Sequence, residues 1–149
     1  MAHAIDVAKH ILAKKGPMSA MKLQKLVYYS KAWHLVWDEE SLFPDRIEAW
    51  ANGPVVCNLY AQHRGLFDVN ASVFACGDLN NLTQSQRESI DIVLNFYGQY
   101  SAHQLSELTH REAPWRDARS GIAPGERGSA SISDSAMAEF YDGLTHAQA

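Results

Sequence analysis

Seven histidines and two cysteines are the side chains of this 149-residue chain best suited to binding a metal or attacking a substrate. Their spacing argues against both. Zinc sites draw on His pairs one helical turn apart or on Cys-x-x-Cys pairs, and neither pattern occurs. His103 and His110 lie seven residues apart, about two turns, too far to share one ion on a straight helix. No G-x-S-x-G elbow marks a serine nucleophile. Cys57 is the one thiol with a hint of reactivity: it falls one turn into a helix expected to start at Gly53, where the positive end of the dipole would lower its pKa. Val55 and Val56 beside it favour burial instead. The stretch Gly121 to Ser129 (G-I-A-P-G-E-R-G-S) has the glycines of a phosphate loop without its Lys-Ser/Thr ending or a preceding strand. Asp38-Glu39-Glu40 reads as a solvated acidic turn, and no two carboxylates show acid–base spacing. The expectation is no catalytic residue, no cofactor and no metal.

Bulk composition narrows the partners. The net charge is −4 and the thirteen Lys and Arg are scattered, the nearest clusters being Lys14–Lys15 and Lys22–Lys25. A nucleic-acid binder usually carries a basic stripe, so nucleic acid is not the expected partner. Cys57 and Cys76 lie far apart and read as reduced thiols. The start M-A-H-A-I-D-V-A-K-H-I-L lacks the basic and apolar regions of a signal peptide. No apolar run approaches the ~18 residues of a membrane span. A cytoplasmic protein with no membrane association is expected, as one domain over residues 1–149.

The elements follow from periodicity and punctuation. Ala4, Ala8, Ile11 and Leu12 share one face of a helix from Ala4 to Lys15, stopped by Gly16-Pro17. Ser19 caps a second helix reaching Trp37. Its inner stripe is Leu26, Tyr29, Trp33, Val36 and Trp37, flanked by Leu23 and Ala32, with Gln24, Lys31 and His34 opposite. Apolar residues cover over half its circumference, which marks it as the central helix. Arg46 to Ala51 reads as a short strand, with Ser72 to Ala75 as its expected partner. Gly53-Pro54 looks like a helix start, Gly at the cap and Pro at the first position, where a missing N–H is harmless. That helix carries Val55, Leu59 and Tyr60 and ends near Gly65.

Thr83 to Gln86 and Ser101 to Gln104 have capping-box spacing. The first opens a helix with Ile90, Val93, Leu94 and Tyr97 inward, the second a helix through His110. Pro114-Trp115 begins another turn, Arg119 to Ser131 reads as a mobile loop, and Ser133 caps a last helix bearing Met137, Phe140, Tyr141 and Leu144. The expected fold class is mainly α, compact, with a small two- to three-stranded β element.

Residues Met21 to Tyr60 hold three of the four tryptophans and three of the six tyrosines, so this block either builds the core or meets a partner. Trp33 sits mid-stripe and is expected in the core. Trp37 and Trp50 stand at element ends, where an indole keeps an exposed edge and serves as an interface anchor.

The run M-K-L-Q-K-L-V-Y-Y-S-K-A-W-H-L-V-W, then I-E-A-W-A-N-G-P-V-V and L-Y, resembles the Panacea domain family, also described as SocA-like and phage-associated GepA-like antitoxins. A-I-D-V-A-K-H-I-L, L-S-E-L-T-H-R-E-A-P-W-R-D-A-R and I-S-D-S-A-M-A-E-F-Y extend the likeness over nearly the whole chain. Cys57 departs from it, standing where a proline is expected after G-P-V-V. The resemblance implies a non-enzymatic antitoxin of a bacterial or prophage toxin–antitoxin pair that binds a cognate toxin protein directly. Lys22, Gln24, His34, Trp37, Trp50, Asn52, Gly53, Pro54 and Trp115 are the candidate partner-binding residues. Two rival roles stay open: an adaptor delivering a toxin to a cellular protease, and a DNA-binding regulator of its own operon.

Overall fold

The computed structural model describes residues 1–147. Helix α1 (Ala4–Lys15) starts at His3, whose capping box with Asp6 satisfies two end groups, and stops at Gly16, held at φ 80°. Strand β1 (Met18–Ser19) leads into α2 (Ala20–Asp38), capped by the Ser19 hydroxyl accepting from the Lys22 N–H. Strands β2 (Ile47–Trp50) and β3 (Gly53–Val56) follow, then α3 (Cys57–His63) and β4 (Asp68–Val69). Two 3-10 turns (71–74 and 79–81) precede α4 (Gln84–Tyr97), α5 (Ala102–His110), α6 (Ala113–Ala118) and α7 (Asp134–Ala147). Both sequence capping boxes, at Thr83 and Ser101, form as their spacing requires. The fold is mostly helical with two small antiparallel sheets, β1–β4 and β2–β3.

Two sequence expectations are corrected here. The partner of β2 is β3, with Ile47 opposite Val56 and Trp50 opposite Gly53, whereas 71–74 forms a 3-10 turn. Gly53-Pro54 therefore starts a strand, and the helix begins only at Cys57. Proline is tolerated because Pro54 faces Ala49 at a position whose backbone groups point away from the partner strand. The Ala49 N–H donates instead to the Ala130 carbonyl, outside the hairpin, so Pro54 deprives the ladder of no bond.

Every other layer is arranged around α2. It packs against α4, α7, the hairpin, α5 and α1, and its buried residues run from Ala20 to His34 on all sides. The side opposite the apolar stripe is thus also covered, and its polar groups find partners there. Gln24 both donates to and accepts from Val56, at 3.2 and 2.8 Å, holding β3 as a further strand would. Ser30 bonds back to the Leu26 carbonyl at 2.8 Å. Lys31 pairs with Asp134 at the start of α7 at 3.0 Å, and the His34 ring meets the Ser89 hydroxyl of α4 at 2.8 Å. On the apolar side Tyr29 stacks on Tyr97 (centroids 4.1 Å, 9°), and Tyr28 meets Tyr141 through their hydroxyls at 3.0 Å. Trp33 is half-buried, its indole N–H donating to Tyr97 at 2.9 Å.

Replacing Gln24 with Leu removes both bonds to Val56 and leaves a buried N–H and C=O unpaired. At roughly 1–3 kcal/mol per stranded group, Gln24→Leu is expected to lower stability by about 2–4 kcal/mol. Urea denaturation checks this: the midpoint falls while the slope stays constant.

Candidate partner-binding surface

The β2–β3 hairpin turns at Ala51-Asn52 and brings several aromatic and polar side chains to one corner. Alternation along β2 sends Ile47 and Ala49 inward and Glu48 and Trp50 outward. On the outer face the Trp50 indole N–H donates to Glu48 at 2.9 Å, and Arg46 donates to the other oxygen at 2.8 Å. The Trp50 bond, followed by Arg46, holds the Glu48 carboxyl below the usual range against the opposing effect of its partial burial. Tyr60 of α3 meets the Trp50 ring edge-on, centroids 4.8 Å apart. Between them and the 127–129 segment lies a groove of about 520 Å³, with Met21, Val55 and Asn52 on its walls.

The corner is braced from behind. The Trp115 indole N–H of α6 donates to the Trp50 carbonyl at 2.7 Å, and the Ser106 hydroxyl of α5 donates to the Asn52 carbonyl at 2.6 Å. His110 stacks on Trp115, centroids 4.0 Å apart, and the Arg119 guanidinium lies over the same indole at 5.2 Å. Arg119 is buried and donates to the carbonyls of Ala49, Ala123 and Glu126, tying the 119–131 segment to β2. The Ile132 N–H donates to Ile47, so this segment closes the outer edge of the strand.

Gly53 is the position that fixes the corner's shape. Its φ of 124° belongs to glycine, and a Cβ there would sit 2.5 Å from Lys25 Cε and 3.1 Å from the Thr109 hydroxyl. Lys25 comes up from α2 beneath the turn, fully buried, with no hydrogen-bond partner for its Nζ among the described residues. Burial pulls its pKa down to about 7. His63 and His110 are held below their ordinary range, mainly by burial and to a smaller degree by Lys25 nearby.

Of the nine residues singled out in the sequence, Trp50, Asn52, Gly53, Pro54 and Trp115 meet at this corner. Asn52 is exposed, Trp50 and Trp115 are half-buried, and Gly53 and Pro54 are buried. The other four lie elsewhere. Lys22 donates from its Nζ to the Gly98 carbonyl at 2.7 Å, tying α2 to the end of α4. Gln24 and His34 are fully buried in the contacts already described. Trp37 stands exposed at the end of α2, stacked on Trp33. Cys57, whose sequence position hinted at a lowered pKa while Val55 and Val56 favoured burial, follows the burial reading. Burial raises its pKa, with the nearby Glu48 carboxylate adding to the effect, so the thiolate is disfavoured. Ile92, Phe96 and Glu112 were missed. Ile92 and Phe96 had a readable signal, being one turn apart and off the Ile90, Val93, Leu94, Tyr97 stripe. Glu112 had none.

No three His, Cys, Asp or Glu side chains converge as a metal site among the described residues, and there no helix is long and apolar enough to cross a membrane. The arrangement offers shape, aromatic faces and hydrogen-bonding groups. A family model described as antitoxin SocA-like, Panacea domain, matches residues 23–116, from the first turns of α2 into α6. No curated protein and no solved structure matches the chain.

The Lys25 geometry sets a pH dependence. Between pH 7 and its ordinary value near 10.5 the folded state holds fewer protons on this amine than the unfolded state, so stability rises with pH across that window. His63 and His110 titrate below it. The Lys25 contribution is expected to add on the order of 2 kcal/mol from pH 7 to 9, at a limit of about 1.4 kcal/mol per pH unit. In Lys25→Met that gain disappears, which denaturant midpoints at the two pH values would register; an equal rise in both proteins would contradict it.

Proposed function

The chain belongs to the SocA-like antitoxin family with a Panacea domain, and from that premise we propose that it neutralises a cognate toxin protein by binding it directly, without catalysis. The observation that carries this reading is the family match, which spans most of α2, the whole hairpin and all of α5, the elements that build and brace the Trp50 corner. The corner suits such a role in physical terms. It presents the half-buried Trp50 indole and an exposed amide at Asn52 beside a groove, on a hairpin fastened from three directions. A preorganised surface of this kind orders little on binding, so more of the contact energy appears as affinity. Aromatic anchors at the centre of an interface are where such energy concentrates. The toxin would be encoded beside this chain in a bacterial or prophage operon, and occlusion of its working surface would be the mode of neutralisation.

Co-expression with the product of the adjacent reading frame tests this. A toxic neighbour, relieved by this chain and co-eluting with it on size exclusion, is the expected result; a harmless neighbour with no complex ends the proposal. Given a complex, Asn52→Arg and Trp50→Ala are each expected to weaken it at least tenfold, about 1.4 kcal/mol or more. Asn52 is exposed, so the thermal midpoint of free Asn52→Arg should stay close to the parent's.

A further inference from the structure

On the other side of α5 from the hairpin corner, α2, α4, α5 and α7 leave a second groove of about 380 Å³. Its walls are aromatic. Trp33 and Trp37 stack along one side, centroids 5.5 Å apart, and Phe96 meets Tyr97 edge-on at 4.9 Å along the other. Part of these walls is open to solvent, Trp37 being 41% exposed, Ile92 52% and Phe96 60%. Large apolar side chains gathered this way on a surface mark a contact site more often than chance exposure.

One charged group reaches the same groove. Glu112, at the start of α6, is buried and lines it. Its Oε1 accepts hydrogen bonds from Tyr29 at 2.7 Å and Tyr141 at 2.8 Å. Among the described residues no group donates to Oε2, and no Lys, Arg or His forms an ion pair with this carboxylate. Burial raises its pKa while the two tyrosine hydroxyls oppose the rise. The exposed Arg111 beside it in the chain also opposes the rise, less than the tyrosines do, and forms no ion pair with it among the described residues.

A half-satisfied carboxylate beneath aromatic walls has a specific complement. An arginine guanidinium stacks on aromatic faces and directs planar N–H donors at a carboxylate. A purely apolar occupant would strand Oε2 in a dry site, at the cost of an unpaired charge. We propose that this groove seats an arginine side chain of the protein partner, on a segment whose apolar residues cover Trp37, Ile92 and Phe96. The inference rests on the antitoxin reading for the partner's identity, and on the groove alone for its chemistry.

The test uses the full chain with the product of the adjacent reading frame, measured by calorimetry. Glu112→Gln keeps an acceptor for both tyrosine hydroxyls and removes the charge; Phe96→Ser alters only an exposed wall. Each is expected to weaken the complex about tenfold or more, and one arginine of the partner should account for the Glu112 effect in a double-mutant cycle. A complex whose affinity is unchanged in both variants overturns the groove while leaving the antitoxin reading intact. If the parent chain forms no complex, the antitoxin reading fails and the groove is judged separately. An amphipathic 14-residue peptide with one arginine, and its citrulline counterpart, are then titrated while the Trp33 and Trp37 indole resonances are followed. Movement with the arginine peptide alone upholds the inference; equal responses overturn it. Self-association of the parent chain lost in Phe96→Ser would assign the groove to a second copy and overturn it too.

Discussion

The structure depends on burying α2 on every side, although several of its residues are polar. A helix that dry must pair each polar group it carries or lose stability with each one left over. The pairings decide where the other elements sit. Gln24 takes the place of a neighbouring strand beside Val56, and this sets the distance between the hairpin and the helix. Lys31 draws the start of α7 inward through Asp134, and His34 fixes α4 through Ser89. The tyrosines on the remaining face lock α4 and α7 together by stacking and by hydroxyl contacts. Two α2 groups are exceptions among the described residues: the Lys25 amine, which packs against Gly53, and His34 Nε2, both buried with no hydrogen-bond partner.

What the sequence disclosed and what it concealed follow the same physics. The starts of α2, α4, α5 and α7 were legible because a cap is a local event: each was marked by a Ser or Thr whose side chain accepts from the backbone N–H three residues on. The central role of α2 was legible from an apolar arc too wide for a surface helix. The hairpin was misread because Gly-Pro serves equally at a helix start and at a strand position facing away from its partner. Only the pairing of Ala49 with Pro54 and Ala130 decides between them. The fate of Gln24 and His34 could not be read either, since a polar residue looks the same whether it meets a solvent molecule or a buried backbone group. Glu112 was invisible for a further reason: its surroundings come from Tyr29 and Tyr141, far away in sequence.

The same scaffold accounts for the two surfaces left over. α5 and α6 stand between them, with Ser106, Thr109 and Trp115 turned toward the hairpin and Leu108 and Glu112 toward the aromatic groove. Each surface pairs exposed aromatic area with a rigid backing, and each carries a carboxylate, Glu48 at one and Glu112 at the other. Their chemistry differs. Glu48 already has Trp50 and Arg46 as partners, whereas among the described residues Glu112 keeps one oxygen free of protein donors. That leaves the corner suited to contact by shape and the groove suited to a cation.

Hydrogen–deuterium exchange on the chain, alone and with the product of the adjacent reading frame, tests most directly whether a rigid α2-centred scaffold presents these surfaces to a protein. The account predicts that amides of α2 from Leu26 to Ala32 exchange slowest in both states, and that added protection falls on residues 47–56 and 88–96. Fast exchange within α2, or new protection confined to α1 and residues 68–81, would contradict it.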